Sequence, residues 1–350
     1  MKASVYRSIV LAVCTIITCG ARPHLAAASE GAAPCADVVQ RGVLHVLTIN
    51  LLFSEMEDRP GRLERLATFV RSQFERGQPV DVLLLQEAAG GLLVHTENSA
   101  QDLQALLHEY DALDYRLSTA YASGVPGLLT IFNATLSRCA ITTSLWRLLP
   151  TAPELEFQGH AIPVTRSVLM TQLQVPDVGS IHVYNTHLCA TCRAAERLEQ
   201  AHTLVHFVQQ VETRAPGATA IILGGDFNTD LTHAAPPDEA LYRLITAEGP
   251  IPFEDSYAVA NGAANPASPL WCIQRDDGGI DRPEGCTIDV SAIRDPFGGE
   301  PAPARLDYLF VHGASGIVQS RVVFTPFNPT EAEQVSVSDH SAVLTSIRVP

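Results

Sequence analysis

The sequence predicts an α/β fold in a single large domain, and three observations support this expectation. The 350 residues are 46% hydrophobic and 17% charged, a balance typical of a globular chain with a sizeable core. The order strand, helix, strand occurs twice along the chain. No low-complexity segment interrupts the sequence after Gly42, so nothing marks a boundary between two smaller domains.

The first strand–helix–strand unit occupies residues 42 to 87. The runs GVLHVLTINLL (42–52) and DVLLLQE (81–87) predict strands because they are short, apolar and rich in β-branched or leucine side chains. The segment 61–77 between them predicts a helix, because four apolar residues recur there at helical spacing. These are Leu63, Leu66, Val70 and Phe74.

The second unit repeats this order. The run SIHVYNTHL (180–188) predicts a strand, and TAIILGGDFN (219–228) predicts another. The segment 193–212 predicts the helix between them, with four residues on its inward face. These are Leu198, Ala201, Val205 and Val208. Two further strands are expected near the C-terminus, at 304–312 and 341–349.

The N-terminal segment has the pattern of an export signal. Lys2 and Arg7 precede the apolar run SIVLAVCTII, which is short for a membrane span, and small residues surround Ala26 to Ala28. We therefore expect a secreted protein, either periplasmic or extracellular. The predicted boundaries are a signal peptide over 1–28, a linker over 29–41 and the folded domain over 42–350.

Six cysteines follow the predicted signal, and an even number in an exported chain favours disulfide bonds. We expect Cys189 to pair with Cys192 across a short loop, and Cys272 to pair with Cys286. The CATC sequence at 189–192 also matches half of a redox or zinc motif, although the sequence has no second CxxC.

The composition argues weakly against a nucleic-acid ligand. The formal net charge is −15, and Lys2 is the only lysine. Proteins that grip phosphate backbones without sequence preference usually present a basic face. The argument is weak because a bound cation reverses the field close to a site.

Polar side chains stand where the predicted strands end. Asn50 and Glu87 close the strands of the first unit, and His187 and Asp226 close those of the second, with Asn228 just beyond. Asp and Asn are common in turns, and each residue alone fits that interpretation. Ligand sites in α/β proteins gather at strand ends, so the two units facing each other would bring these groups to one cleft.

The C-terminal strands add three candidates. Asp307 lies within an apolar strand, where an unpaired carboxylate is unfavourable. Asp339 and His340 directly precede the last strand, where a turn aspartate and a core or surface histidine are the plain alternatives. Carboxylate and amide oxygens suit Mg²⁺, with Mn²⁺ and Ca²⁺ as alternatives, better than they suit a structural zinc ion.

Six stretches together resemble the endonuclease/exonuclease/phosphatase superfamily with its DNase I-like fold. In chain order they are TINLL, LLLQE, NTHL, GGDFN, RLDYLF and SDHSAV. The resemblance runs from Val43 to Val349. It implies a four-layer α/β/β/α sandwich with its site in a cleft at one rim. We expect a monomer without an obligate protein partner.

The resemblance also implies a metal-dependent phosphodiesterase. Glu87 looks like the main metal ligand, with Asn50 beside it and Asp339 as a second carboxylate. A metal ion neutralises the phosphoryl oxygens and activates water. Mg²⁺ is the expected cofactor.

The remaining motif residues are similar to the superfamily's catalytic set. Asp226 and Asn228 look like the pair that orients or deprotonates the attacking water. His187 and His340 look like the two site histidines, with Asp307 bonded to His340. The general base is either Asp226 or His340 on the sequence alone.

Two segments are similar to neutral sphingomyelinases, which suggests a phospholipid substrate at a membrane surface. One is the helix after His187, with Arg197 and Gln200 at matching spacing. The other is the Pro-Phe-Gly segment within residues 295–313. A secreted nuclease acting on nucleic acid is the alternative from the same superfamily. A non-catalytic binding or toxin module on the same scaffold is a third possibility.

Overall fold

The computed structural model is a sandwich of two six-stranded mixed sheets with helices on both outer faces. It describes residues 35–53, 58–109, 113–157, 160–229, 236–262, 272–274, 279–288, 293, 303–328 and 333–349. The predicted signal peptide, 1–28, lies outside these residues. In the described part of the chain, no helix is both long and apolar enough to cross a membrane.

The first sheet combines strands from both ends of the chain. Its members are β1 (Val43–Asn50), β2 (Val82–Gly90), β3 (Arg116–Val125), β4 (Leu129–Ser137), β15 (Gly316–Val323) and β16 (Ala342–Arg348). Their order across the sheet is β15, β16, β1, β2, β4, β3. β1 and β2 run parallel, while the other pairs are antiparallel.

The second sheet also has one parallel pair of strands at its centre. Its members are β5 (Ala140–Leu148), β8 (Ser167–Val175), β9 (Gly179–His187), β10 (Ala220–Asp226), β11 (Glu254–Asp255) and β14 (Asp307–His312). Their order is β11, β14, β10, β9, β8, β5, and the parallel pair is β9 with β10. Two ribbons stand apart, β6 (Ala152–Phe157) with β7 (His160–Val164) and β12 (Ile273–Gln274) with β13 (Ile280–Asp281).

The described α-helices are α1 (Asp37–Arg41), α2 (Arg59–Glu75), α3 (Ser99–Glu109), α4 (Ala194–Arg214), α5 (Pro236–Arg243) and α6 (Ser256–Ala260). The helices α2 to α5 cover the outer faces, whereas Val38 of α1 packs into the core between the sheets. A π-helical turn, Leu244–Glu248, extends α5, and single 3₁₀ turns occur at Leu92–Val94 and Pro283–Gly285.

Three apolar cores separate the layers. One lies between the sheets and contains Leu84 and Ile222. A second packs α2 and α3 on the first sheet through residues such as Leu66, and a third packs α4 on the second sheet through residues such as Leu204. The predicted single-domain, four-layer α/β/β/α sandwich is therefore confirmed.

Both predicted long helices are present, shifted by one or two residues. α2 begins at Arg59 because Asp58 caps it, accepting a 3.3 Å hydrogen bond from the Gly61 amide, and Pro60 occupies the first turn. The inward residues predicted for it are buried, except Phe74, which is partly buried.

The second half of the predicted linker folds with the domain. Residues 37–41 form α1, and Cys35 is bonded to Cys139, which directly precedes β5. The sequence did not predict this ordered segment, because it has many small residues and little apolar periodicity. The disulfide to Cys139 attaches it to the domain. The predicted pairs Cys189–Cys192 and Cys272–Cys286 are both present.

Two strand boundaries correct the sequence interpretation. β2 does not end at Glu87; it passes through a bulge there and continues to Gly90. Asp307 does not lie inside its strand but is the first residue of β14. Because β14 is antiparallel to β10, its first residue lies opposite Asp226, the last residue of β10.

Candidate active site

The site forms where the parallel strands of both sheets end. Asn50, the last residue of β1, is paired with Gln86 of β2. In the other sheet His187, the last residue of β9, is paired with Asp226 of β10. Parallel strands bring their carboxyl ends to one edge, so each sheet delivers its polar side chains to the same rim.

The centre of the site is one oxygen, Oδ2 of Asp226. Nδ2 of Asn50 donates to it over 3.1 Å across the sandwich. Nε2 of His187 lies 3.4 Å from it, and Nε2 of His340 lies 3.8 Å from it. Asp226 itself is 1% exposed, so this carboxylate depends on its neighbours rather than on bulk water.

Asn228 supports the other oxygen of Asp226. Its backbone amide donates to Oδ1 of Asp226 over 2.9 Å, and its side-chain amide donates to the Leu188 carbonyl over 3.0 Å. Asn228 adopts a positive φ of 48°, a conformation that asparagine tolerates better than most residues. The glycine before Asp226, Gly225, also has a positive φ, and an added Cβ there would lie 1.9 Å from the Thr186 carbonyl. The GGDFN residues are therefore required by the backbone conformation of this turn as well as by the chemistry of the site.

His340 and Asp307 form a buried pair. Nδ1 of His340 lies 2.8 Å from Oδ2 of Asp307, which turns Nε2 toward Asp226. Thr287 fixes the pair, since its hydroxyl accepts from the amide of Asp307 and its carbonyl accepts from the amide of Ser341. Burial opposes charge on His340, yet the carboxylates of Asp307 and Asp226 raise its pKa well above the ordinary value.

The pKa of Asp226 is also raised. Burial is the main cause and the neighbouring Asp307 adds to it, while His340 and the hydrogen bonds from Asn50 and Asn228 oppose it. Two carboxylates, those of Asp307 and Asp226, face the imidazole of His340, and this arrangement favours the protonated ring.

His187 is held as a neutral imidazole by Arg166, which the sequence analysis did not identify. Nη1 of the buried Arg166 lies 2.9 Å from Nδ1 of His187. A guanidinium only donates, so Nδ1 must accept, and the ring proton resides on Nε2, facing Asp226. Burial and the charges of Arg166 and His340 lower the pKa of His187 well below its ordinary value.

Glu87 and Asp339 fit a hard divalent cation. Oε2 of Glu87 accepts from the Phe53 amide over 3.0 Å, and its side chain retains 19% exposure. Burial and the nearby charge of Asp339 raise the pKa of Glu87, with a hydrogen bond from Asn50 opposing this. Two close carboxylates beside an amide are oxygen donors that a cation neutralises, so these residues would hold one. Glu87 lies in the bulge of β2 with φ 55°.

A second group of potential ligands contains Asp226, Asp307 and His340, whose ligand atoms lie within 4.8 Å of one another. The 2.8 Å contact between Asp307 and His340 already uses the imidazole Nδ1. The Asp307–His340 contact suits this group to proton transfer, while the carboxylates of Glu87 and Asp339 are the other oxygen donors at the site that could hold a cation.

Buried polar residues next to the site were also missed by the sequence analysis. Arg62 of α2 donates to the carbonyls of Leu51 and Leu52 after β1, and to Val337 before Asp339. Burial lowers the pKa of Arg62 to about 10, with Asp339 and Glu87 opposing this. Its side chain thus joins the two loops that carry the cation-side residues. In the sequence it is indistinguishable from the surface arginines of an amphipathic helix.

Gln86 and Asn185 join the two sheets beneath the site. Nε2 of Gln86 donates to Oδ1 of Asn185 over 2.7 Å, and Nδ2 of Asn185 donates to the carbonyls of Leu85 and Ala134. Both residues are fully buried. The only indication of their role in the sequence is that Gln86 lies in the LLLQE stretch and Asn185 in the NTHL stretch.

The helix residues Arg197 and Gln200 brace the loop after His187. Arg197 donates to the carbonyls of Cys189 and Ala190, and Gln200 accepts from the amide of Cys189 over 2.9 Å. The Cys189–Cys192 disulfide closes the same loop. The Pro-Phe-Gly segment lies outside the described residues.

Comparison with known proteins identifies the family of this fold and site. The profile of the endonuclease/exonuclease/phosphatase family matches residues 47–340. No curated protein matches the sequence. The solved structures show how far the likeness of fold extends.

Three solved structures illustrate this likeness. A family protein from Leptotrichia buccalis has 21% identity and a TM-score of 0.56, over 87% of this chain and 99% of that one. The mannosyl-6-phosphatase Bt3783 of Bacteroides thetaiotaomicron has 18% identity and a TM-score of 0.55, with coverage of 87% and 99%. Truncated TDP2 of Caenorhabditis elegans has 17% identity and a TM-score of 0.53, with coverage of 88% and 98%. At these identities the match establishes the fold.

Proposed function

The chain belongs to the endonuclease/exonuclease/phosphatase family, and from this we propose that it is an exported, divalent-metal-dependent phosphodiesterase that hydrolyses sphingomyelin-type lipid. Nucleases and phosphatases both cleave phosphoester bonds, so hydrolysis of a phosphoester is the chemistry common to the family. The metal, the lipid substrate and the export of the chain are the specific parts of the proposal.

The observation that best supports this proposal is the set of groups around Oδ2 of Asp226. One buried carboxylate oxygen has Asn50, His187 and His340 around it within 3.8 Å. Such a group holds and deprotonates a water molecule, while the adjacent N–H donors stabilise negative charge on a phosphoryl group. The raised pKa of Asp226 brings its basicity closer to what proton abstraction at neutral pH requires.

In this proposal Asp226 acts as the base and His340 as the acid. The carboxylates of Asp307 and Asp226 raise the pKa of His340, which favours the imidazolium, a form with no lone pair to take a proton. The water oxygen bonds to phosphorus as its proton passes to Asp226. The bond from phosphorus to the lipid oxygen breaks, and Nε2 of His340 protonates that oxygen. Asp307 stabilises the imidazolium before transfer and keeps the ring oriented.

His187 and Asn228 act as neutral donors in this scheme. The proton of His187 is on Nε2 because Arg166 occupies Nδ1. A divalent cation held by Glu87, Asp339 and Asn50 supplies charge neutralisation of the phosphoryl oxygens when bound. Mg²⁺ suits this set of oxygen donors, with Mn²⁺ as the closest alternative.

Two features support a lipid over a nucleic-acid substrate, and a third supports export. The net charge of −15 and the single lysine leave little basic surface for a phosphate backbone. The segment that resembles sphingomyelinases, with Arg197 and Gln200, braces the loop next to His187. Three disulfides suit an oxidising compartment, in keeping with export.

The test is a side-by-side assay of the purified chain with Mg²⁺. We expect phosphocholine release from sphingomyelin and an intact plasmid, with release abolished by EDTA. Plasmid cleavage without phosphocholine release would identify a nuclease instead. Inactivity on both substrates would favour the non-catalytic module.

Variants then assign the residues. Asp226→Ala is expected to abolish turnover while leaving the fold intact by circular dichroism, and full activity would contradict the assignment. Glu87→Gln is expected to raise the Mg²⁺ concentration for half-maximal activity. Glu199→Gln, an exposed change on α4, is the matched control and leaves that concentration unchanged.

A further inference from the structure

The first sheet extends beyond the strand ends that carry the site. β1 stops at Asn50, level with Gln86, whereas β2 passes its bulge and continues to Gly90. β4 and β3 accompany it, since Thr130 pairs with both Gly90 and Gly124. Three further residues at about 3.3 Å each carry the sheet roughly 10 Å past the level of the site.

The end of this extension is apolar. We name residues 90–94 together with the β3–β4 turn, 124–129, the rim tip. Leu92 is 75% exposed and Leu93 is 40% exposed, and Leu92 is the most exposed large hydrophobic residue in the described part of the chain. No charged residue occurs within 88–94 or 117–137. Glu97, whose carbonyl packs against Gly90, is a charged neighbour of the tip. Two adjacent exposed leucines still differ from the singly scattered apolar residues of ordinary surfaces.

The backbone of the rim tip is hydrogen-bonded within the protein. The amides of Leu92 and Leu93 donate to the carbonyls of Gly127 and Leu128 over 3.0 and 2.9 Å. The amide of Gly91 donates to the Thr96 carbonyl over 2.7 Å. An apolar phase therefore meets leucine side chains and not these amides, which would be costly to bury without partners.

Glycine is required for this compact geometry. Gly91 has φ 121°, and an added Cβ would lie 2.6 Å from the Leu128 carbonyl oxygen. At Gly124 an added Cβ would lie 2.1 Å from the Leu129 carbonyl oxygen. The two loops thus pack backbone against backbone, and the leucines are presented by a fixed platform.

We propose that the rim tip inserts Leu92 and Leu93 into the surface of a zwitterionic lipid bilayer and thereby holds the cleft against its substrate. This inference rests on the proposed function, because a lipid phosphodiester must be reached at the bilayer surface. The extension stands at the same rim as Asn50 and Glu87, so contact through it faces the cleft toward the lipid headgroups.

Charge selects this type of membrane. A chain with a net charge of −15 is repelled by anionic bilayers and by nucleic acid. A tip without Lys or Arg gains nothing from an anionic surface to offset that repulsion. Choline headgroups carry no net charge, so apolar insertion is not opposed there.

The binding test uses phosphatidylcholine vesicles in EDTA, which separates adsorption from turnover. Leu92→Asp/Leu93→Asp is expected to weaken co-sedimentation about tenfold or more relative to the parent chain. Val318→Asp is the matched control, because Val318 is a hydrophobic residue with 50% exposure. It lies on β15, level with the first residues of β1, and therefore at the end of the sheet opposite to the rim tip. It is expected to sediment like the parent chain.

The turnover arm distinguishes failure of docking from failure of the proposed function. On a short-chain sphingomyelin below its micelle concentration, the double variant is expected to match the parent, and on vesicles it loses activity in proportion to binding. If the parent chain hydrolyses neither form of sphingomyelin, the proposed function is wrong. The co-sedimentation result then still tests whether the rim tip binds the bilayer. Unchanged sedimentation of the double variant would overturn the inference. So would a parent oligomer that the double variant converts to monomer, because the rim tip would then be a contact between chains.

Discussion

Replacing Arg166 by methionine tests the proton arrangement of the site without changing any residue that is proposed to handle the water. The guanidinium donates to Nδ1 of His187 over 2.9 Å, and this contact keeps the ring proton on Nε2. Without it, Nδ1 can take the proton, with Oε1 of Glu87 3.9 Å away as an acceptor, and only the carboxylate of Asp226 still favours Nε2. Nε2 would then present a lone pair to Oδ2 of Asp226, 3.4 Å away, and the donor would be lost.

The size of the effect follows from the type of bond removed. A buried hydrogen bond from a charged donor contributes about 1.5–3 kcal/mol. If the transition state loses this amount of stabilisation, kcat falls roughly 10- to 150-fold. KM changes little, because His187 donates to charge that develops during the reaction. Arg166→Lys retains a charged donor and is expected to recover part of the loss.

The assay combines steady-state hydrolysis with the ¹⁵N spectrum of His187, which distinguishes the two ring tautomers. Arg147→Met is the matched control. Arg147 is a partly buried arginine on β5 of the second sheet, bonded to Gln210 over 2.8 Å and packed over Phe207. We expect that control to retain its kcat. A kcat of Arg166→Met within threefold of the parent, with the Nε2 tautomer retained, would refute the reasoning.

Three further predictions concern stability and the acid. Cys35→Ala/Cys139→Ala opens a loop with a sequence separation of 104 and is expected to lower the unfolding free energy by about 5 kcal/mol in denaturant titration; a loss below 1 kcal/mol would contradict this. Burial, aided by nearby arginines, lowers the pKa of His45 to about 4, so protonation favours the unfolded chain and stability is lost as pH falls below 6.5. His45→Gln is expected to reduce the loss between pH 7 and pH 5 by about 2 kcal/mol, and an unchanged pH profile would exclude His45 as the cause. Asp307→Asn is expected to cut kcat far more than KM and to lower the pKa of His340 in NMR titration, whereas an unshifted titration would show that Asp307 does not hold the imidazolium.

The sequence predicted elements with strong periodicity and polar strand ends. α2 and α4 were predicted within two residues, since their apolar spacing is set by packing on a sheet. Asn50, His187 and Asp226 come together because parallel strands share an edge, and that geometry follows from the order of elements. The position of Asp307 needed the antiparallel register of β14, which no local pattern encodes.

What the sequence did not reveal depends on partners distant in the chain. Arg166 and Arg62 look like ordinary arginines until the fold brings His187 and the loop carbonyls against them. The bulge at Glu87 depends on where β4 pairs, and the disulfide from Cys35 depends on a residue 104 positions later. Local propensity carries no information about such contacts.

The pairing of His340 with Asp307 has a consequence for when the protein becomes active. Asp307 begins a strand of the second sheet, whereas His340 directly precedes β16, which inserts beside β1 in the first. Their 2.8 Å contact therefore bridges the two sheets, as does the bond from Asn50 to Asp226. A chain whose halves have formed but not docked holds the acid and its partner apart. Both contacts of the candidate site therefore exist only in a chain whose two sheets have docked on each other.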